Sequence, residues 1–112
     1  MPTIFTKIIN REIPATIVYE DEHCLAFRDV RPQAPTHVLV IPKREIPSVD
    51  AIASSDAELL GHLWLTIPKI AKQEGLSGGY RVVVNNGPDA RQTVDHIHFH
   101  ILGGRNMGWP PG

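Results

Sequence analysis

Cysteine is all but absent from this chain, and a single Cys24 excludes both an internal disulfide and a cluster of thiolate metal ligands. Its neighbours in Cys24-Leu25-Ala26-Phe27 are apolar, which marks it as a buried core thiol rather than a nucleophile. Surplus charge is missing as well: eleven Lys and Arg stand against twelve Asp and Glu, a net charge of -1. Without a basic excess there is no electrostatic footprint for nucleic acid or for an anionic membrane surface, although a local site can still hold a small anion. Long apolar runs are lacking too. Leu63-Trp64-Leu65 stops at Thr66, far short of the roughly 20 residues of a membrane span. The opening Met-Pro-Thr-Ile-Phe-Thr-Lys has no apolar stretch of a secretory leader, so the expected location is cytoplasmic.

What is present is an ordinary globular balance, 42% hydrophobic and 21% charged residues over 112 positions, enough chain for a real core. No repeat, low-complexity tract or linker divides it, so residues 1–112 are read as one domain. Lys7–Arg11 reads as a short helix closed before Ile13-Pro14. Ala15–Tyr19 and Cys24–Phe27 are short β-rich runs around a polar turn, the pattern of a hairpin. Two prolines force an extended loop over 29–35, and His37–Ile41 is a strand that Pro42 ends. Ser55-Asp56-Ala57-Glu58 has the spacing of a capping box. Leu59, Leu60, Leu63, Ile67, Ile70 and Ala71 then recur at helical spacing, predicting a helix over Asp56–Glu74 with a kink at Pro68. Tyr80–Val84 reads as a strand, 85–93 as a long polar loop, and Asp95–Leu102 as a further strand. The order β-β-β-α-β-β with short connections predicts an α+β fold with a mainly antiparallel sheet.

Histidine is the compositional surplus, six in all. In His96-Ile97-His98-Phe99-His100-Ile101-Leu102 a strand's alternation puts the three histidines on one face and Ile97, Phe99 and Ile101 on the other. Neighbouring imidazoles then stand about 6.5–7 Å apart from Cα to Cα, close enough to share a small ligand. Such a row suits a zinc site, although no carboxylate or thiolate partner lies within the motif. It equally suits nucleophilic catalysis, because imidazole is neutral, nucleophilic and proton-exchanging near pH 7.

The row also resembles the His-φ-His-φ-His-φ-φ pattern (φ apolar) of the histidine triad superfamily. Ile4-Phe5, Arg31-Pro32-Gln33-Ala34-Pro35-Thr36-His37, Val40-Ile41-Pro42-Lys43, Leu102-Gly103-Gly104-Arg105 and Trp109-Pro110-Pro111-Gly112 make the chain look like its Hint branch, the purine nucleoside phosphoramidases. That likeness spans essentially the whole chain. It implies a five-stranded sheet with one long and one short helix, extended across a homodimer in which each tail, with Trp109, reaches the partner's site. It also implies hydrolysis of P–N bonds in AMP- or GMP-type conjugates, with no metal and no cofactor. Relatives outside this branch hydrolyse dinucleoside polyphosphates, and a nucleotide-binding module with weak catalysis is a further alternative.

By the same resemblance His98 is the nucleophile, His96 helps to orient it, His100 contacts the scissile bridging atom, and His37 is the fourth histidine of the site. Asp29 would hold the ribose hydroxyls, while Ile4, Phe5, Ile8, Phe27 and Val30 form the cleft for the base. Asn85, Gln92 and Thr93 would donate hydrogen bonds to phosphate and leaving group. Phe99 and Trp109 complete the implied nucleotide contacts. Arg28 stands where many relatives have histidine, and Arg91 puts a cation where they often have glycine. Thr93 keeps the hydroxyl of the commoner serine.

Overall fold

In the computed structural model, which describes residues 2–112, five strands form one antiparallel sheet, accompanied by two α-helices and three short 3-10 helices. The first helix, α1 (Ile4–Ile9), begins three residues before the predicted start. Thr3 caps it by accepting from the amides of Phe5 and Thr6, and Thr6 Oγ1 accepts in return from the Thr3 amide. Arg11, at φ 63°, turns the chain out of helical geometry. The predicted hairpin forms as β1 (Ile17–Glu20) and β2 (Cys24–Arg28). Strand β3 (Thr36–Pro42) pairs with β2 on one side and with β5 (Phe99–Gly103) on the other, and β4 (Tyr80–Val83) closes the order β1-β2-β3-β5-β4.

Helix α2 (Ala57–Gln73) is the longest element and runs unbroken through Pro68. Proline removes the amide that would bond the Trp64 carbonyl, but both residues lie on the exposed side of the helix, where the freed carbonyl is within reach of solvent. The expected capping box at Ser55 does not form: Asp56 takes the N-cap position of α2 without a side-chain bond to the helix amides. Its buried carboxylate accepts from the Ala53 amide at 2.8 Å and pairs with Arg44.

The two sheet faces bury separate clusters. Leu63, Ile67 and Ile70 of α2 pack on Ala26, Val38, Val40, Phe99 and Ile101, with Cys24 fully buried among them. Burial, reinforced by the negative charge of Asp21, pushes the Cys24 thiol up to about 12. Phe5 and Ile8 of α1 cover Leu25, Phe27, Leu39 and Ile41 on the opposite face. Among the described residues no helix is long and apolar enough to cross a membrane.

The histidine strand is shorter than its alternation predicts, because only Phe99–Gly103 joins the ladder. Its partner β3 ends at Pro42, which has no amide to offer. The Ile97 amide donates instead to the Ile46 carbonyl at 2.7 Å. The extended chain nevertheless keeps its alternation, with Ile97, Phe99 and Ile101 on the α2 side.

Candidate active site

On the α1 side His37, His96, His98 and His100 gather beside Phe5. The rings of His98 and His100 lie 5.1 Å apart, as do those of His37 and His100. Phe5 meets His98 nearly edge-on at 5.0 Å and His96 at 5.9 Å, wedging both imidazoles against the sheet. His96 is wholly buried, and His98 and His37 nearly so.

Backbone groups decide where the protons sit. His98 Nδ1 lies 2.8 Å from the His96 carbonyl, which only accepts, so Nδ1 carries the proton and Nε2 keeps its lone pair. His96 Nε2 donates to the Pro42 carbonyl at 2.8 Å. Its buried Nδ1 makes no hydrogen bond among the described residues. The Gln33 amide donates to His37 Nδ1 at 3.0 Å, which places the His37 proton on Nε2. That Nε2 lies 2.9 Å from His100 Nδ1 and 3.4 Å from Asp29 Oδ2. Donation from His37 to His100 leaves the His100 proton on its own Nε2. The site therefore pairs a lone pair on His98 with an N–H on His100.

Burial holds these rings neutral. It lowers His37, His96 and His98 below the ordinary histidine value, and Asp29 opposes the shift at His37 and His98 without cancelling it. His100 falls furthest, to about 4, through burial first and then its proximity to His98 and His37.

His98 and His100 line a cleft of about 320 Å³ together with Ile4, Phe5, Ile8, Phe27, Arg28, Asp29, Val30 and Thr93. Eight residues expected to contact a nucleotide are thus brought to the histidines. Asp29 also shapes its loop, because its Oδ1 accepts from the Arg31 amide at 2.8 Å. The Arg28 guanidinium is turned to Glu74, in a two-pronged pair of 2.7 and 3.1 Å.

Other expected contacts are placed elsewhere. Phe99 is corrected: its side chain lies on the α2 face, 5.3 Å edge-on from Trp64, because odd and even residues of β5 face opposite ways. Gln92 closes the loop with all its polar atoms. Its Oε1 accepts from the Gly87 amide and its Nε2 donates to the Pro47 and Val94 carbonyls. Asn85 donates to the Ala90 carbonyl at 2.7 Å, within the same loop. Arg91 occupies a left-handed position at φ 65° and does not line the cleft. Trp109 is 82% exposed, with the Arg81 guanidinium 5.8 Å from its ring.

Sequence reasoning missed Leu39, Ile13, Pro14, Ala15 and Val94 in the cleft wall. Leu39 was within reach, since period two puts it on the face of His37. The carbonyls and the amide that orient the imidazoles carry no residue signature.

One test concerns a metal. Asp29, His37 and His100 bring ligand-type atoms within 4.8 Å of one another. Two of their ring nitrogens already bond to each other and a third to the Gln33 amide, so an ion there would have to break this network.

Residues 10–107 match the model of the HIT domain family. The chain is 62% identical over 110 residues to an uncharacterized HIT-like protein of Synechococcus elongatus, covering 98% of this chain and 96% of that protein. It is 57% identical over 114 residues to a 14 kDa zinc-binding protein of Zea mays, covering 99% and 88%. A HIT family hydrolase from Legionella pneumophila superposes with a TM-score of 0.97 at 51% identity, covering 99% of this chain and 100% of that one. The histidine triad nucleotide-binding protein of Candida albicans superposes at 0.83 with 34% identity, covering 97% and 83%. With the fold, the histidine row and these likenesses in agreement, the chain belongs to the HIT domain family.

Proposed function

We propose that the chain is a hydrolase of purine nucleoside phosphoramidates, acting through a nucleotidyl-histidine intermediate on His98. The carrying observation is the bond from His98 Nδ1–H to the His96 carbonyl, which leaves the Nε2 lone pair at the cleft. That lone pair attacks the α-phosphorus, the P–N bond to the amine breaks, and the amine departs once its nitrogen is protonated. Water then cleaves the P–Nε2 bond, regenerating His98 and releasing the nucleoside monophosphate. His100 Nε2–H is the donor for the leaving nitrogen. Asp29 offers its carboxylate to the ribose, and Ile4, Phe5, Ile8, Phe27 and Val30 enclose the base. Among the loop donors Thr93 takes the phosphate role, because the Gln92 amide is already committed.

The maize relative's name speaks of zinc, but this chemistry uses neutral donors and a lone pair rather than a Lewis acid. Dialysis against a strong chelator should leave turnover intact; loss of turnover restored by zinc would refute a metal-free mechanism. The protein would work as a homodimer, with the half-exposed Trp64 of α2 and the partly exposed Tyr80 of β4 at the interface and the tail at the partner's cleft. Sedimentation at micromolar concentration should give the dimer mass.

Turnover of an adenosine phosphoramidate compared with a dinucleoside polyphosphate tests the substrate class. Preference for the phosphoramidate supports the proposal, preference for the polyphosphate moves the assignment within the superfamily, and tight binding without turnover of either leaves a nucleotide-binding module.

A further inference from the structure

A second group of metal-ligand side chains lies on the other face of the sheet from the catalytic histidines. Asp21 sits in the β1–β2 turn, Cys24 opens β2 beneath α2, and His62 projects from α2. One ligand-type atom from each lies within 4.8 Å of the other two. Asp21 Oδ1 makes the turn, accepting from the His23 and Cys24 amides at 2.8 and 2.9 Å. The turn does not need Oδ2. That oxygen points toward the helix, 2.6 Å from His62 Nε2 and 2.9 Å from the Tyr19 hydroxyl that donates to it. His23 stacks edge-on against the His62 ring at 5.3 Å, on the solvent side.

We propose that Asp21, Cys24 and His62 form a binding site for a zinc-type divalent cation, separate from the catalytic site. One carboxylate oxygen, one thiolate and one imidazole nitrogen are a borderline-soft donor set. Such a set selects zinc and its neighbours over magnesium or calcium, which take oxygen ligands. A tetrahedral ion with bonds of about 2.0–2.3 Å holds its ligand atoms about 3.3–3.8 Å apart, so Asp21 Oδ2 and His62 Nε2, now 2.6 Å apart, must separate to admit it. Small shifts of exposed side chains allow this, since the His62 side chain is 35% exposed and the Asp21 side chain 24%. The fourth position falls to His23 or to water.

Binding carries a definite proton balance. The ion takes the place of the thiol proton of Cys24, which leaves to solvent, and of the hydrogen bond between His62 Nε2 and Asp21. The His62 proton moves to Nδ1, so a neutral ring loses none. One proton is released per ion bound. The bound ion would pin the β1–β2 turn to the first half of α2 in place of the hydrogen bond that now joins Asp21 to His62.

Cobalt(II) is the probe, because a thiolate ligand gives it a strong near-ultraviolet charge-transfer band. The full-length chain, stripped by chelator, is titrated with cobalt at neutral pH. The expected result is one ion per chain with that band, displaced by zinc. Cys24→Ser abolishes the band, and His62→Gln weakens cobalt binding by at least ~10-fold. His98→Ala leaves both unchanged. His62→Gln alters a partly exposed helix residue and carries the test where Cys24→Ser does not fold. No bound ion, an ion without the thiolate band, or a band lost in His98→Ala but kept in His62→Gln would each overturn the proposal.

Discussion

The two faces of the extended segment that carries the histidines into β5 share one backbone and obey different rules. On the α2 side, Phe99 and Ile101 interlock with Leu63, Ile67 and Ile70 in a cluster whose members are held by shape alone. On the α1 side, His98 and His100 also sit in largely apolar surroundings, yet hydrogen bonds fix the rings and their tautomers. The first arrangement tolerates replacement by an apolar side chain of similar volume. The second does not, because the identity and orientation of each nitrogen matter. Stability and reactivity are thus carried by alternate residues of the same extended segment, and each can be perturbed with the other left in place.

The sharpest break of that separation is His98→Ala. Turnover of an adenosine phosphoramidate should fall by roughly 10⁴–10⁶-fold, while nucleotide affinity changes little, because the cleft walls and Asp29 remain. Steady-state kinetics beside equilibrium binding checks this, and near-normal turnover would sink the covalent mechanism. His100→Ala should cost less, and more for basic amines than for good leaving groups, since a basic amine departs only when protonated.

On the other face, Leu63→Ala should lower unfolding free energy by about 2–5 kcal/mol. The turnover of the folded fraction should stay close to normal. Chemical denaturation and kinetics on the same preparation read both quantities; an equal loss of turnover would mean that the faces are coupled.

Acid should discriminate the faces next. Unfolded histidines protonate near pH 6.5, whereas the buried His37, His96 and His98 resist protonation and His100 holds off until about 4. Between those limits the unfolded chain binds more protons than the folded one, so stability is full above about pH 6.5 and declines as the pH falls toward 4. Thermal melts across that range should show the decline, and His100→Ala should flatten it. A profile unchanged by His100→Ala would remove that residue from the linkage.

The smallest effect is expected at the tail. Arg81 donates to the Gly108 carbonyl at 2.7 Å, and few other contacts hold the segment. Deleting residues 108–112 should change stability by no more than about 0.5 kcal/mol, yet shift selectivity among leaving groups. Unchanged selectivity would place the tail outside the site.

Period two made the two faces of the histidine row readable from sequence, because alternation survives even where the ladder does not. The limits of the ladder were harder to read. Pro42 ends β3 visibly, but its effect falls on Ile97, some fifty residues away in sequence and across the sheet. Helix α1 was misplaced by three residues because Thr3, an N-cap of ordinary type, lies in a segment that the Lys7–Arg11 reading passed over. Phe99 was assigned to the nucleotide through family likeness, against the alternation that had already put it on the far face. Gln92 shows the opposite limit: its residue type suits a phosphate donor, and only the loop's folding reveals that its amide is spent at home.

The protonation pattern of the cleft rests on main-chain groups: the Pro42 and His96 carbonyls and the Gln33 amide. Every amino acid supplies a carbonyl, and every one but proline supplies an amide. Mutational drift at positions 33 and 42 therefore leaves the tautomers untouched so long as the path of the chain is kept. An alanine scan would pass over the Gln33 amide and the Pro42 carbonyl as silent, and at His96 it would report the lost imidazole rather than the carbonyl. At positions 33 and 42 the chemistry is robust to changes of side chain and fragile to changes of backbone, so an inserted or deleted residue in the 29–36 loop, or a proline at 33, would do what other substitutions at 33 cannot.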